Sequence, residues 1–269
     1  MAPSSLPSGA FLGQRSRTAT VAGFKAGLWR ASLPPEGVHT HTHDDAHFVL
    51  TLDGGYRSLA HDRLTPKGQA FGPGALIWNP AGVEHRDSFE TVGGRFLSVS
   101  FMPPKGATRG EPLRLRRPVA ETAARRLIGA VTGHQDGDAI RLEGLLLDMA
   151  AAVLSPADLD EDPAPDWLLR ADQALRDLCR MPGLEVRDLA RIVGVHPVSL
   201  ARRYRRHFGI SPASAIRRAR VDRAVGDLII GMDLADLADR GGYADQSHLT
   251  REFRALYGVT PGGYRTLFG

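Results

Sequence analysis

The sequence predicts an α+β protein of two domains, an N-terminal β-barrel or jelly roll followed by an all-α C-terminal domain holding two helix-turn-helix units. Three observations carry this. Residues 24–101 consist of short apolar or alternating runs such as His47-Phe-Val-Leu-Thr-Leu52 and Phe96-Leu-Ser-Val-Ser-Phe101, separated by Gly and Pro turns. From residue 119 the apolar period becomes helical. Finally, Tyr204-Arg-Arg-His-Phe-Gly-Ile-Ser-Pro212 recurs 49 residues later as Phe253-Arg-Ala-Leu-Tyr-Gly-Val-Thr-Pro261, with aromatic, Gly, β-branched, hydroxyl and Pro positions in register.

Taken in order, residues 1–20 are rich in Ser, Pro and Gly and are expected to be flexible, and they lack the apolar run of a signal peptide. Residues 21–117 form the β domain. Residues 118–154 are expected to be two helices, with Leu142, Leu145, Leu146, Met149 and Val153 on one face of the second. That stripe needs a cover, supplied either by the chain's own β domain or by a second copy in a homodimer. Residues 155–165 are acidic and proline-rich and read as a linker. Residues 166–269 are the helical domain.

Composition narrows the function classes. With 269 residues, 42% apolar and 24% charged, the chain is ordinary globular protein, and no stretch approaches a membrane span. A cytoplasmic protein without membrane contact is expected. The single cysteine, Cys179, makes neither a disulfide nor a zinc knuckle and reads as a small buried residue. The net charge of +4 is unevenly placed, since residues 166–269 carry 17 arginines and no lysine against 12 acidic residues. Four of these arginines lie between Arg202 and Arg206. The planar guanidinium donates two parallel hydrogen bonds to phosphate or guanine, so this half suits DNA.

Each repeat supplies the parts of a helix-turn-helix. In the first, a short helix over Val186–Val193 leads through Gly194-Val-His-Pro197 into a helix ending at Phe208, with Leu200, Tyr204 and Phe208 inward. In the second, Leu234–Arg240 leads through Gly241-Gly-Tyr243 into Gln246–Tyr257, with Leu249, Phe253 and Leu256 inward. Residues 214–230 read as one connecting helix, long enough to set the recognition helices about 34 Å apart, one turn of duplex. Ser199, Arg202, Arg205 and Arg206 face out in the first unit, and Gln246, Ser247, His248, Thr250, Arg251 and Arg254 in the second.

Residues 166–267 resemble the AraC/XylS family of regulators. The resemblance rests on the two units, on Arg220-Val-Asp-Arg-Ala224 with Leu228, and on Gly242-Tyr243 through Gly258-Val-Thr-Pro-Gly-Gly-Tyr-Arg265. It implies a non-enzymatic regulator that binds double-stranded promoter DNA, usually as an activator touching RNA polymerase. Carried over by position, Ser199, Arg202, Gln246, Ser247 and Arg251 are expected near base edges, and Arg205, Arg206 and Arg254 near phosphates. Arg203 departs from the family, which more often has an apolar residue there.

In the β domain, His41-x-His43-x3-His47-x6-Gly54 and Gly74-x5-Pro80-x-Gly82-x2-His85 resemble the two motifs of the cupin barrel. His47 stands where the pattern has Glu, and Phe89 replaces its terminal Asn. Alternate residues of a strand share a face, so His41, His43, His47 and His85 are expected to meet inside, with His39 exposed. Such a set suits divalent Zn, Ni, Cu or Fe. The alternative is a metal-free pocket for a small organic effector. A cupin enzyme is the rival from another class, weakened by the missing Glu and by the appended DNA-binding half.

Overall fold

In the computed structural model the described residues are 4–53, 55–59, 70–103, 112–132, 138–154 and 164–267. The chain divides into two compact units, one built on Met1–Leu154 and one on Ser155–Thr266. Most of the expected linker, at 155–163, and Gly54 of the first histidine motif lie outside the described residues.

The first unit contains the strands β1 (Ser4–Leu6), β2 (Gly13–Val21), β3 (Phe24–Ala31), β4 (His41–His43), β5 (Ala46–Thr51), β6 (Tyr56–Leu59), β7 (Leu76–Asn79), β8 (Arg86–Phe89), β9 (Arg95–Phe101) and β10 (Leu113–Leu115). Six of them form one antiparallel sheet in the order β10-β7-β5-β9-β3-β2. Its central strand β5 is buried at every position, which is why its sequence reads as an apolar run rather than an alternation. Two short ribbons complete the unit, the antiparallel β6–β8 and the parallel β1–β4.

Two expectations are corrected. Residues 4–20 are not a flexible tail, because β1 pairs with β4 and β2 forms an edge of the large sheet. Within β2 only Ala19 is buried, so the strand is held by its backbone ladder to β3 and leaves almost no apolar signature. The closed barrel is also not what the ladders form. Among the described residues the six-stranded sheet is open at β10 and β2, because β6 and β8 pair with each other instead of closing it.

Two helices follow, α1 (Pro118–Thr132) and α2 (Asp138–Leu154). They pack on each other and against β2 and β3. Leu142, Leu146 and Met149 are buried, and Leu145 and Val153 half-buried, so the predicted stripe of α2 is covered within its own unit. Arg125 of α1, 2% exposed, donates to the carbonyl of Gly74 in the turn before β7, at 2.9 Å. No described helix is long and apolar enough to cross a membrane.

The second unit is helical throughout: α3 (Asp166–Leu178), α4 (Val186–Val193), α5 (Pro197–Phe208), α6 (Pro212–Ile229), α7 (Leu234–Arg240), α8 (Gln246–Tyr257) and α9 (Pro261–Thr266). The repeat explains its punctuation. Gly209 (φ 73°) ends α5 and Gly258 (φ 76°) ends α8, in a left-handed conformation that favours glycine. In both copies a hydroxyl residue and a proline then start the next helix. Ser211 accepts from the Ser214 amide and Thr260 from the Gly263 amide, each at 3.1 Å. The helix α6 packs against α3 and α5 on one side and α7, α8 and α9 on the other, as the spine shared by both helix-turn-helix units. At 1.5 Å per residue its 18 residues span about 27 Å. One inward position differs from expectation: in α8 it is Tyr257, not Leu256, that is fully buried, because Tyr257 lies four residues beyond Phe253 on the same face.

Candidate functional site

The outer faces of α5 and α8 carry the predicted contacts. Ser199, Arg202, Arg205 and Arg206 are all exposed on α5, opposite the buried Leu200, Tyr204 and Phe208. Gln246, Ser247, Arg251 and Arg254 are exposed on α8, opposite Leu249, Phe253 and Tyr257. His248 and Thr250 are half-buried. The His248 ring lies 3.5 Å from the Glu252 carboxylate and accepts from the Ala244 amide, so it is held against its own helix. Each helix thus presents an arginine-bearing polar face from a rigid apolar back.

The four histidines come together at a small cavity of about 40 Å³, lined by residues of the large sheet (Ala31, Val49, Phe96) and of the short ribbons (His41, His43, Phe89). Paired backbone hydrogen bonds of 3.0 Å join His41 and His85 across the site. The ring centroids of His41 and His85 are 4.8 Å apart, those of His43 and His47 4.3 Å, and the rings of His43 and His85 stack at 5.2 Å. His39 is exposed, as expected.

Hydrogen bonding separates the four. The Nδ1 of His41 lies 2.8 Å from the His39 carbonyl and that of His85 3.0 Å from the Val83 carbonyl. A carbonyl only accepts, so both Nδ1 atoms carry the proton and both Nε2 atoms present a lone pair. The Nε2 of His85, 3.9 Å from the Asp87 carboxylate, is buried without a hydrogen-bond partner among the described residues, as are the Nδ1 atoms of His43 and His47. His47 is different, because the Asn79 amide donates to its Nε2 at 3.0 Å and to Asp87 Oδ2 at 3.1 Å, and the Tyr56 hydroxyl donates to the same oxygen at 2.6 Å. Ligand atoms of His41, His43 and His85 lie within 4.8 Å of one another, as do those of His43, Asp45 and His47 and those of His47, His85 and Asp87.

Burial lowers the pKa of His43 to about 3, with repulsion from His85 and His41 adding to it. Burial likewise holds His47 well below the usual imidazole value and lowers that of His41. These imidazoles are therefore neutral at pH 7, the form that binds a metal. Nδ1–H groups of His41 and His85 donated to backbone carbonyls, their Nε2 lone pairs and the unpartnered buried nitrogens fit a divalent transition metal held by His41, His43 and His85.

Over 158 residues the chain is 28% identical to a putative AraC-like transcription regulator of Streptomyces lividans, a match that covers 55% of this chain and 46% of the relative. Residues 189–266, from within α4 through α9, match the family described as a helix-turn-helix domain. The C-terminal unit is an AraC-type DNA-binding domain. That family is a DNA-binding class rather than an enzyme class. The chain spans about half the length of the curated relative it matches. Among solved structures, the C-terminal domain of AraT, a response regulator from Geobacillus stearothermophilus, is 25% identical, covers 39% of this chain and 88% of its own, and superposes with a TM-score of 0.37. ToxT from Vibrio cholerae O395 is 11% identical over 91% of this chain and 98% of its own, with a TM-score of 0.38.

Two groups of site residues escape motif reading. In the AraC-type domain Val198 is 67% exposed, four residues before Arg202 on the outer face of α5. The 49-residue repeat aligns it with Ser247, so the register itself held the signal. In the pocket, Asn79, Asp87 and Tyr56 form the network that engages His47. They lie on three different strands, and nothing in their local sequence joins them.

Proposed function

We propose that this chain is a transcription regulator whose AraC-type domain reads promoter DNA in two successive major-groove windows under the control of a ligand in the N-terminal histidine pocket. The observation that carries it is the placement of all eight predicted contact residues on the exposed faces of two equivalent helices. Ser199, Arg202, Gln246, Ser247 and Arg251 approach base edges, with Val198 offering an apolar contact for a thymine methyl group. Arg205, Arg206 and Arg254 hold phosphates and set the register. The resemblance favours activation through RNA polymerase, in the cytoplasm, by a homodimer.

The ligand is a divalent Zn, Ni, Cu or Fe ion held by His41, His43 and His85 in a cupin-like sensor. A bound ion would supply a fixed positive charge that draws β4 and the segment leading into β8 together. For control, it must favour one DNA-binding state over the other. A second reading, a small organic effector, is favoured by the apolar lining of Phe11, Leu33, Val49, Phe89 and Phe96.

The test is selection of an operator from random duplexes, footprinting on it, and metal analysis of the purified protein with and without chelator. Two protected windows about one helical turn apart, with affinity that changes when metal is removed from stoichiometrically loaded protein, support the reading. Absence of sequence-selective binding overturns the regulator. Turnover of a small molecule without effect on DNA would favour the enzyme instead.

A further inference from the structure

Asp87, on β8 two residues beyond His85, lines the same cavity as the four histidines, and its two carboxylate oxygens are used unequally. Oδ2 accepts from the Tyr56 hydroxyl of β6 at 2.6 Å and from the Asn79 amide of β7 at 3.1 Å. Oδ1 is buried without a hydrogen-bond partner among the described residues. A carboxylate oxygen held away from water costs free energy unless something positive meets it.

The neighbours of Asp87 say what that is. One atom each from His47, His85 and Asp87 lies within 4.8 Å of the others. The Nδ1 of His85 donates to the Val83 carbonyl, so its Nε2 meets the carboxylate as a lone pair and two acceptors lie side by side. A cation shared between them turns that repulsion into attraction. Their 3.9 Å separation is close to the edge of roughly 3.4 Å between two ligands of a tetrahedral zinc ion. His47 is held back from the same place, because its Nε2 accepts from the very Asn79 amide that fixes Asp87.

Charge points the same way. Three neutral imidazoles would leave both charges of a divalent ion unmatched beside Phe11, Phe89 and Phe96, and burying unmatched charge is costly. One carboxylate halves the excess. Position 47, where the motif pattern has its acidic residue, is a histidine here, so the negative charge comes from a different strand.

We propose that Asp87 is a fourth, charge-bearing ligand of the ion held by His41, His43 and His85, binding through Oδ1, and that Tyr56 and Asn79 are positioning residues that hold its Oδ2. This deepens the metal reading given above and rests on it.

Two measurements on the full chain test this. Co(II) is titrated into the metal-free protein and followed by visible absorption. Difference infrared then compares zinc-loaded with metal-free protein, isotope-labelled in its aspartate carboxyls. Asp87→Asn is expected to lower Co(II) affinity by at least about 10–100-fold and to change the shape of the Co(II) band, as loss of a ligand does. Tyr56→Phe is expected to lower affinity about tenfold with the band retained, as loss of a positioning residue does. In the wild-type chain an aspartate stretch shifts when zinc binds. Asp87→Asn abolishes that shift, and Tyr56→Phe moves it by removing a hydrogen bond from the same carboxylate. A chain that binds metal with no aspartate shift overturns the proposal and leaves the three-histidine site standing. So does a shift that survives Asp87→Asn or, should that variant not fold, one that Tyr56→Phe leaves unmoved. A wild-type chain that binds neither Co(II) nor Zn(II) overturns the metal reading along with this one.

Discussion

The hydroxyl of Tyr257 donates a 2.8 Å hydrogen bond to Oδ1 of Asp222, tying the end of α8 to the middle of α6. The first helix-turn-helix makes the same tie, from Tyr204 on α5 to Asp172 on α3, at 2.7 Å. Both aspartates are buried, 7% exposed at Asp172 and 8% at Asp222. The two tyrosines are not equivalent in the repeat, since Tyr204 aligns with Phe253 and Phe208 with Tyr257. The hydroxyl has moved one helical turn while its function, fixing each recognition helix to the long helix before it, is kept.

Replacing Tyr257 by Phe is expected to destabilise the AraC-type domain by about 1–3 kcal/mol, since it removes a bond to a buried charged acceptor while leaving the ring in place. Tyr204→Phe is expected to cost a similar amount. Urea unfolding followed by helical signal measures both. A change within error in both variants would show that the ties are incidental.

Much of this domain was legible in the sequence because its signals are local. A left-handed Gly, a capping hydroxyl and a Pro occur together at Gly209-Ile-Ser-Pro212 and Gly258-Val-Thr-Pro261, and the four short helices α4, α5, α7 and α8 fall where their periodicity puts them. The N-terminal unit was less legible. The edge strand β2 exposes nearly all its side chains, so hydropathy does not register it, and sheet closure depends on pairings between distant strands. Alternation placed His41 and His43 on one face, but the distinction of His47 required Asn79, 32 residues away.

Under the proposed reading, the recognition helices divide their labour between bases and phosphates. Arg202→Ala is expected to cost about 1–3 kcal/mol on the preferred operator and to relax preference at one base pair, whereas Arg206→Ala weakens all sequences alike and lowers the salt dependence. For Val198, replacing the contacted thymine by deoxyuridine is expected to lower wild-type affinity about fourfold, near the value of one buried methyl group, and to leave Val198→Ala unchanged. Titrations against single-position operator variants read all three, and uniform losses across every variant would refute the division.

The pocket histidines are expected to differ in metal retention. His41→Ala and His85→Ala remove an Nε2 whose lone pair is kept free by a backbone carbonyl on the opposite nitrogen. Loss of one of three ligands or of its orientation lowers affinity by at least about 10–100-fold. His47→Ala, whose Nε2 is already engaged by Asn79, is expected to keep the ion. Metal content after dialysis against a weak chelator separates them, and equal loss in all three variants would make His47 a ligand.

Acid is expected to destabilise the metal-free N-terminal unit through its buried imidazoles. His41, His43 and His47 have folded pKa values lowered below 6.5, chiefly by burial. Below pH 6.5 the unfolded chain therefore binds protons that the folded chain refuses, and stability falls as pH falls, for His43 down to about pH 3. Burial pushes the carboxyls of Asp45 and Asp53 up instead, and they act in the opposite sense, losing their contribution as pH rises from the carboxylate range. The histidine effect is thus expected to govern between pH 7.5 and about pH 5. Thermal melts in chelator over that range should show the β-sheet transition moving down with acid, and replacing His43 by Gln should shrink the shift. A transition that does not move with pH would mean that these imidazoles are solvated.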